Sequence, residues 1–194
     1  ISSAETTGVS ENPATIRLLN DIEVEGVLSG TGSTVYGILI NSGVINIDLN
    51  GYQLSASNNP YSVIRIGSEW GETCDAVVTI EDNSVNQTGK IINSDAGIKN
   101  YGGTLIFNSG TIEVNATEEY NGGIGIEFYH GSVIMNGGII DVSGISEVSI
   151  AAGIYEDGPG GTFNMNGGYI KVNSPFGDAL HLRGTAYING GIIE

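Results

Sequence analysis

Hydrophobic and polar residues alternate over short stretches of this chain, and Asn and Gly residues separate one stretch from the next. Four segments follow one template: a Gly, an alternating stretch, a turn of Asn with Gly or Ser, and a second alternating stretch. They are residues 103–114, 131–142, 161–172 and 184–193. Side chains of a β-strand point to opposite faces with a period of two, so the pattern predicts short strands joined by tight turns.

The template recurs at a nearly constant interval. Its asparagines are Asn108, Asn136, Asn166 and Asn189, which lie 28, 30 and 23 residues apart. Another short strand precedes each template, centred near positions 98, 126, 154 and 180 at intervals of 28, 28 and 26 residues. A repeat of this length, with three short strands, is typical of a solenoid in which each coil buries its apolar face against the next.

We therefore predict an all-β fold, a single-stranded right-handed parallel β-helix (β-solenoid) with about seven coils and three strands per coil. The solenoid is expected over residues 15–194 and to continue or be truncated at its C-terminal end, whereas residues 1–14 form a polar lead-in or N-terminal cap. Coils stack about 4.8 Å apart, so equivalent side chains should cover one another in ladders. One predicted inward ladder is Leu105, Val133, Phe163 and Ala186.

The recurring asparagines have a structural interpretation. Asn and Gly tolerate the left-handed conformation of a tight corner, and stacked Asn amides can hydrogen-bond from coil to coil in an enclosed ladder. We expect the four asparagines of the template to be part of the scaffold rather than of a binding site.

Composition limits the partners of the chain. Its 194 residues carry a formal net charge of −16, and such a field repels phosphate backbones and anionic membrane surfaces. Nucleic acid is therefore not expected as a partner. No stretch reaches the roughly 20 apolar residues that a membrane span needs, so membrane insertion is not expected either. Cys74 is the single cysteine, which excludes an intrachain disulfide.

A variable corner follows the first strand of each coil, and we place the candidate ligand site there. Tyr101 and Tyr129 are 28 residues apart and should be neighbours on adjacent coils, which would give a stacking platform for sugar rings. The alternative is that these tyrosines only cap strand edges. Further insertions interrupt the template at residues 67–75, 116–122 and 143–149. The predicted ligand-binding residues are Tyr101, Phe128, Tyr129, His130, Tyr155, Glu156 and Asp157.

The corner also carries carboxylates. Glu127, Glu156 and Asp157 approach it, and glycoside hydrolysis requires a pair of acids at a defined separation. In a chain with 22 acidic residues, some pairing across coils is also expected without catalysis. Asp95 and Asp178, together with Asp157, could instead hold calcium, although no calcium-loop spacing is present. We predict no catalytic residue and no dedicated cofactor.

Several phrases of the repeat resemble those of bacterial cell-surface β-helix proteins of the pectate-lyase-like superfamily: IDLNGY at 47–52, GTLIFN at 103–108, GDAL at 177–180 and YINGG at 187–191. The resemblance is strongest to the adhesin-like, carbohydrate-binding branch, and it implies an extracellular location, contact with polysaccharide or host glycan, and sometimes calcium. The enzymatic branches carry catalytic sets of Asp, His, Arg and Lys, of which only the YHG at 129–131 is similar here.

Three functions follow as hypotheses. The first is a non-catalytic, extracellular, adhesin-like module that binds polysaccharide or host glycan on one face. The second is a passive stalk within a larger surface protein, attached to further domains of the same polypeptide. The third is a polysaccharide lyase or glycoside hydrolase.

Overall fold

In a computed structural model of the protein, the residues described are 13–28, 35–57, 61–67, 74–116, 123–144 and 151–194. Most of the three predicted insertions, and residues 1–12 of the predicted lead-in, lie outside these ranges. The described part of the chain contains strands and turns and no α-helix, so it has no helix that could cross a membrane.

The strands are short and follow one another closely. In chain order they are β1 (Ala14–Arg17), β2 (Ile22–Glu25), β3 (Val27–Leu28), β4 (Val35–Ile40), β5 (Val44–Asp48), β6 (Gln53–Ser57), β7 (Ser62–Ile66), β8 (Val77–Glu81), β9 (Lys90–Asn93), β10 (Ala96–Phe107), β11 (Thr111–Ala116), β12 (Ile124–Met135), β13 (Ile139–Gly144), β14 (Ala151–Glu156), β15 (Thr162–Met165), β16 (Tyr169–Asn173), β17 (Gly177–His181), β18 (Thr185–Ile188) and β19 (Ile192–Ile193).

These strands wind into a parallel β-helix of about seven coils, which confirms the predicted fold class. Each full coil contributes one strand to each of three faces. Face 1 is formed by β4, β7, the first half of β10, the first half of β12, β14 and β17. Face 2 is formed by β1, β5, β8, the second halves of β10 and β12, β15 and β18. Face 3 is the seven-stranded sheet of β2, β6, β9, β11, β13, β16 and β19.

Faces 1 and 2 belong to one sheet because β10 and β12 each run from face 1 into face 2, and the two strands pair on both sides of the corner with a shift of register between. Among the described strands, every pairing between coils is parallel, and the single antiparallel pair is the short β3–β4 hairpin near the N-terminal end. A parallel sheet whose inner face is fully buried suits the Ile- and Val-rich strands of this chain.

Inward ladders form the core as the repeat predicted. Leu105 pairs with Val133, Val133 with Phe163, and Phe163 with Ala186. The first three of these side chains are fully buried, whereas Ala186, on the last described strand of face 2, is exposed. A second ladder on face 3 aligns Ile112, Ile140 and Ile170, which are also fully buried. Each coil therefore shields the apolar side chains of its neighbours from water, which is the main stabilising contribution in such a stack.

The asparagine ladder is present, but its predicted enclosure is wrong. The side-chain amides of Asn136, Asn166 and Asn189 each donate to the Oδ1 of the asparagine one coil before, at 2.9 Å. Asn136, Asn166 and Asn189 are exposed, and the ladder runs along the outside edge between faces 2 and 3. The reason is the strand parity: Asn108 directly follows buried Phe107, so its side chain points outward.

Candidate functional site

The candidate site lies at the corner between faces 1 and 2, and the structure buries part of it. Asn100, Phe128 and Glu156 pair with one another on successive coils and point into the solenoid. All three are at most 1% exposed. They have the same parity as the buried residues Ile98, Ile126 and Ile154, two positions earlier, and this signal was available in the sequence. Phe128 and Glu156 therefore shape the corner from inside rather than face a ligand.

The Glu156 carboxylate ties this corner together. It accepts hydrogen bonds from the backbone amides of Gly161 at 3.0 Å, of Arg183 at 2.7 Å and of Gly184. Two of these three donors belong to the next coil. A buried carboxylate is tolerated when backbone N–H groups satisfy it, so Glu156 replaces the apolar residue that other coils use at this position.

Asn100, two coils before Glu156, likewise forms hydrogen bonds with backbone groups of the corner. Its Oδ1 accepts the amides of Gly102 at 3.2 Å and Gly103 at 2.9 Å, while its Nδ2 donates to the carbonyl oxygens of Gly103 and Ser132. Both polar residues of this inward column hence satisfy backbone groups where the strand bends from face 1 to face 2.

Tyr101 is part of the wall of the corner. It is 5% exposed, and the guanidinium carbon of Arg65 lies 4.5 Å from the centre of its ring. The same guanidinium lies 5.6 Å from the ring of Tyr36, and Arg65 Nε donates to the carbonyl oxygen of Gly67 at 3.1 Å. A cation over an aromatic face is a stabilising contact. Tyr101 is thus packed against the buried guanidinium of Arg65.

The two tyrosines expected as direct neighbours are offset by one residue. Tyr101 pairs with His130, because the register shifts around this position and Tyr129 is skipped. Glycine makes the offset possible at Gly131, whose φ is 84° and whose Cβ, if present, would lie 2.2 Å from the carbonyl oxygen of Gly103. Bulges of this kind redirect side chains at the corner of a sheet.

Tyr129 and His130 are half-buried on the outside of the bulge. Their rings meet edge to face, with centroids 4.6 Å apart and an interplanar angle of 82°. The ring of Tyr129 also lies against Gly158 of the next coil, where an added Cβ would lie within 2.7 Å of it. The ring is therefore held at one orientation while part of it still faces solvent.

Tyr155 and His181 form the aromatic stack of the site. They pair on adjacent coils, and their rings stack with centroids 4.8 Å apart and an interplanar angle of 22°. His181 Nδ1 lies 3.1 Å from the Asp178 carboxylate, and Arg183 Nη1 donates to the carbonyl oxygen of Asp157 at 3.2 Å. We call Tyr129, His130, Tyr155, Asp157, His181 and Arg183 the corner cluster. Of these, sequence reasoning did not select His181 and Arg183.

A nearly buried ion pair lies next to the cluster on face 1. Lys99 Nζ lies 2.9 Å from Glu127 Oε2, and the two side chains are 13% and 10% exposed. Burial by itself would lower the pKa of Lys99, but the carboxylates of Glu127 and Asp95 outweigh it, and the pKa is raised. Burial raises the pKa of Asp95 to about 6, with Lys99 opposing the shift and Glu127 adding to it.

The described carboxylates of the corner limit its chemistry. Glu127 is paired with Lys99 and Glu156 with backbone amides, and both are buried. Of the three predicted acids only Asp157 is partly exposed, whereas a two-carboxylate hydrolysis needs a pair. Asp95, Asp157 and Asp178 do not converge, and no group of three His, Cys, Asp or Glu side chains comes together in the described ranges.

Comparison with known proteins gives no relative. No family model matches this chain, and no match was found among curated proteins or solved structures.

Proposed function

We propose that this protein is a non-catalytic, extracellular, adhesin-like surface module that binds polysaccharide or host glycan through the corner cluster. The observation that carries the proposal is the Tyr155–His181 stack, flanked by the Asp178 carboxylate and the Arg183 guanidinium. Sugar ligands pair apolar ring faces with aromatic side chains and hydroxyl groups with charged or amide groups, and this cluster offers both within two coils.

The cluster is also held in place before a ligand arrives. The ring of Tyr129 lies against Gly158, the rings of Tyr155 and His181 support each other, and Glu156 holds the backbone of Arg183 from inside. Pre-organised side chains lose little conformational freedom on binding, which favours affinity on a small contact area. The resemblance of the repeat to cell-surface β-helix proteins supports an extracellular location for such a module.

A passive stalk is the second candidate. It is favoured by the number of polar groups at the corner that serve the scaffold, namely Asn100, Glu127 and Glu156. A stalk is expected to bind no glycan under any condition, which separates the two candidates in one experiment.

The test is a glycan array probed with the wild type, Tyr155→Ala and Tyr52→Ala. Tyr52 is an exposed tyrosine at the turn between faces 2 and 3, so its variant controls for loss of surface aromatic area. We expect Tyr155→Ala to lose at least about tenfold in affinity for the glycans that the wild type retains, whereas Tyr52→Ala keeps wild-type binding. Equal loss in both variants, or no retention by the wild type, would remove the corner cluster as a site.

A further inference from the structure

Face 2 presents a regular array of outward side chains. The parity is set by their neighbours, because the alternate residues Leu105, Phe107, Val133 and Met135 are fully buried. Coil-to-coil pairing arranges the outward residues in three ranks, of which the third is Arg17, Asp48 and Glu81 on the first three coils and then the asparagine ladder. The first rank is Val44, Val77, Thr104, Ser132, Thr162 and Thr185. The second rank is Thr15, Asn46, Thr79, Ile106, Ile134, Asn164 and Tyr187.

The first and second ranks contain no charged residue, although the chain has a formal net charge of −16. Face 3 differs, since Glu113, Asp141 and Lys171 follow one another in one of its outward columns. Face 1 differs too, since it carries the column of Arg65, Lys99 and Glu127. On face 2, charged residues occur only in the third rank on the first three coils, so from β10 onward its outward side chains are uncharged.

The exposed asparagine ladder borders face 2 along four coils, and it fixes the orientation of its amides. Between Asn108 and Asn189, each step of the ladder uses one N–H of an amide and one lone pair of the amide one coil before it. An Asn amide has two N–H donors and two acceptor lone pairs, so the interior members, Asn136 and Asn166, each keep one donor and one acceptor for an outside partner. These groups repeat at about 4.8 Å, the spacing of the coils.

We propose that face 2, together with the asparagine ladder, is a second interaction surface, and that its partner is an uncharged polysaccharide in an extended, ordered form. Hydroxyl and amide groups at a fixed repeat can exchange hydrogen bonds with sugar hydroxyls, while Ile106, Ile134 and Tyr187 offer apolar area to sugar rings. From β10 onward, face 2 offers an anionic polymer no cation, and such a polymer also meets the negative field of the chain. This surface is separate from the corner cluster and does not depend on it.

The test is co-sedimentation with a panel of insoluble neutral polysaccharides: cellulose, chitin, mannan and β-1,3-glucan. Asn164→Asp places one charge within face 2 at unchanged size. Asn173→Asp makes the same change on face 3, where Asn173 ends β16 and is exposed. We expect the wild type and Asn173→Asp to sediment equally with at least one polysaccharide, and Asn164→Asp to bind it at least about tenfold more weakly. Tyr155→Ala, which alters only the corner cluster, should sediment like the wild type.

Any one of the following results would overturn the proposal. One is that the wild type sediments with none of the four polysaccharides. Another is equal binding by Asn164→Asp and Asn173→Asp. The third is a dimer in sedimentation velocity that Asn164→Asp dissociates, because face 2 would then be a contact between two copies of the chain. A loss of sedimentation in Tyr155→Ala together with unchanged Asn164→Asp would assign the polysaccharide to the corner cluster and leave face 2 without a ligand.

Discussion

The carboxylate of Glu156 accepts the backbone amide of Arg183, one coil further along, at 2.7 Å. Glu156 is buried and Arg183 is exposed, so this hydrogen bond connects the interior of the solenoid to the corner cluster on its surface. The buried interior of the corner and its surface are therefore coupled. Glu156, which no ligand can reach, fixes the position of the Arg183 backbone.

Replacing Glu156 with Ala should strongly destabilise the protein. A buried N–H left without an acceptor costs about 1–3 kcal/mol, and Glu156 serves the buried amide of Gly161 and the part-buried amides of Arg183 and Gly184, so we expect a loss of roughly 2 kcal/mol or more in the free energy of unfolding. Urea denaturation measures it. The neighbouring Asp157→Ala is the control and should change stability by less than about 0.5 kcal/mol, as surface substitutions usually do. Similar losses in both variants would contradict the assigned role of Glu156.

The asparagine ladder predicts a graded series of stabilities. Asn136→Ala removes two ladder hydrogen bonds, to Asn108 and to Asn166, whereas Asn189→Ala removes one. A hydrogen bond contributes about 0.5–1.5 kcal/mol net, so the first variant should lose about 1–2 kcal/mol and the second about half as much. Chemical denaturation of both variants checks the ratio. If Asn136→Ala is as stable as the wild type, the ladder does not stabilise the coil stack.

The Lys99–Glu127 pair should be far more sensitive to substitution than an exposed pair of similar length. Lys99→Met leaves the Glu127 carboxylate nearly buried without its cation, which should cost about 3 kcal/mol, and the double variant Lys99→Met/Glu127→Met should recover most of this. The control is Lys90–Glu113, with 2.7 Å between Nζ and Oε2 but side chains 43% and 28% exposed. Lys90→Met should cost at most about 1 kcal/mol. Equal effects at the two pairs would be inconsistent with the burial of Lys99.

The raised pKa of Asp95 predicts the direction in which the stability of the protein changes with pH. Its pKa in the folded protein is about 6, above the ordinary value of 3.8, so between these values the folded state binds more protons than the unfolded state. This group therefore lowers stability as the pH rises from about 4 through about 6. Asp95→Asn should be more stable than the wild type at pH 7, with the difference shrinking toward pH 4.

The difference between the two proteins is the quantity to measure for Asp95, by thermal or urea unfolding at several pH values. The pKa values of Asp82 and Glu113 are lowered, which gives a slope of opposite sign, but both residues are present in both proteins and their effect cancels. A difference that grows toward low pH would show that the Asp95 pKa is not raised.

The ladders were predictable because their signal is local and repeated. Leu105, Val133 and Phe163 occupy the same place in the template, and strand parity alone orients them inward. The same parity places Phe128 and Glu156 inside, two positions after the buried Ile126 and Ile154. Sequence reasoning nevertheless assigned both to the surface, since it grouped the corner residues by chemical type and did not carry the parity through the corner.

The details of the corner depend on contacts that the repeat does not encode. The shift that pairs Tyr101 with His130 arises from a bulge, and the repeat interval of 28 residues is the same with or without it. The Lys99–Glu127 pair and the Tyr155–His181 stack each join residues that are chemically different at equivalent positions. A search for similar residues at a fixed interval finds Asn108 with Asn136 and overlooks such mixed pairs.

Both proposed surfaces depend on the coils being stacked in the register described, and distances between spin labels on face 2 test this directly. In a Cys74→Ala background, Asn46→Cys is combined in turn with Ile134→Cys, Asn164→Cys and Tyr187→Cys, which lie three, four and five coils away. Coils about 4.8 Å apart predict backbone separations of about 14, 19 and 24 Å, rising in that order. Pulsed electron paramagnetic resonance that finds equal or unordered distances for the three pairs would contradict the solenoid and both surfaces built on it.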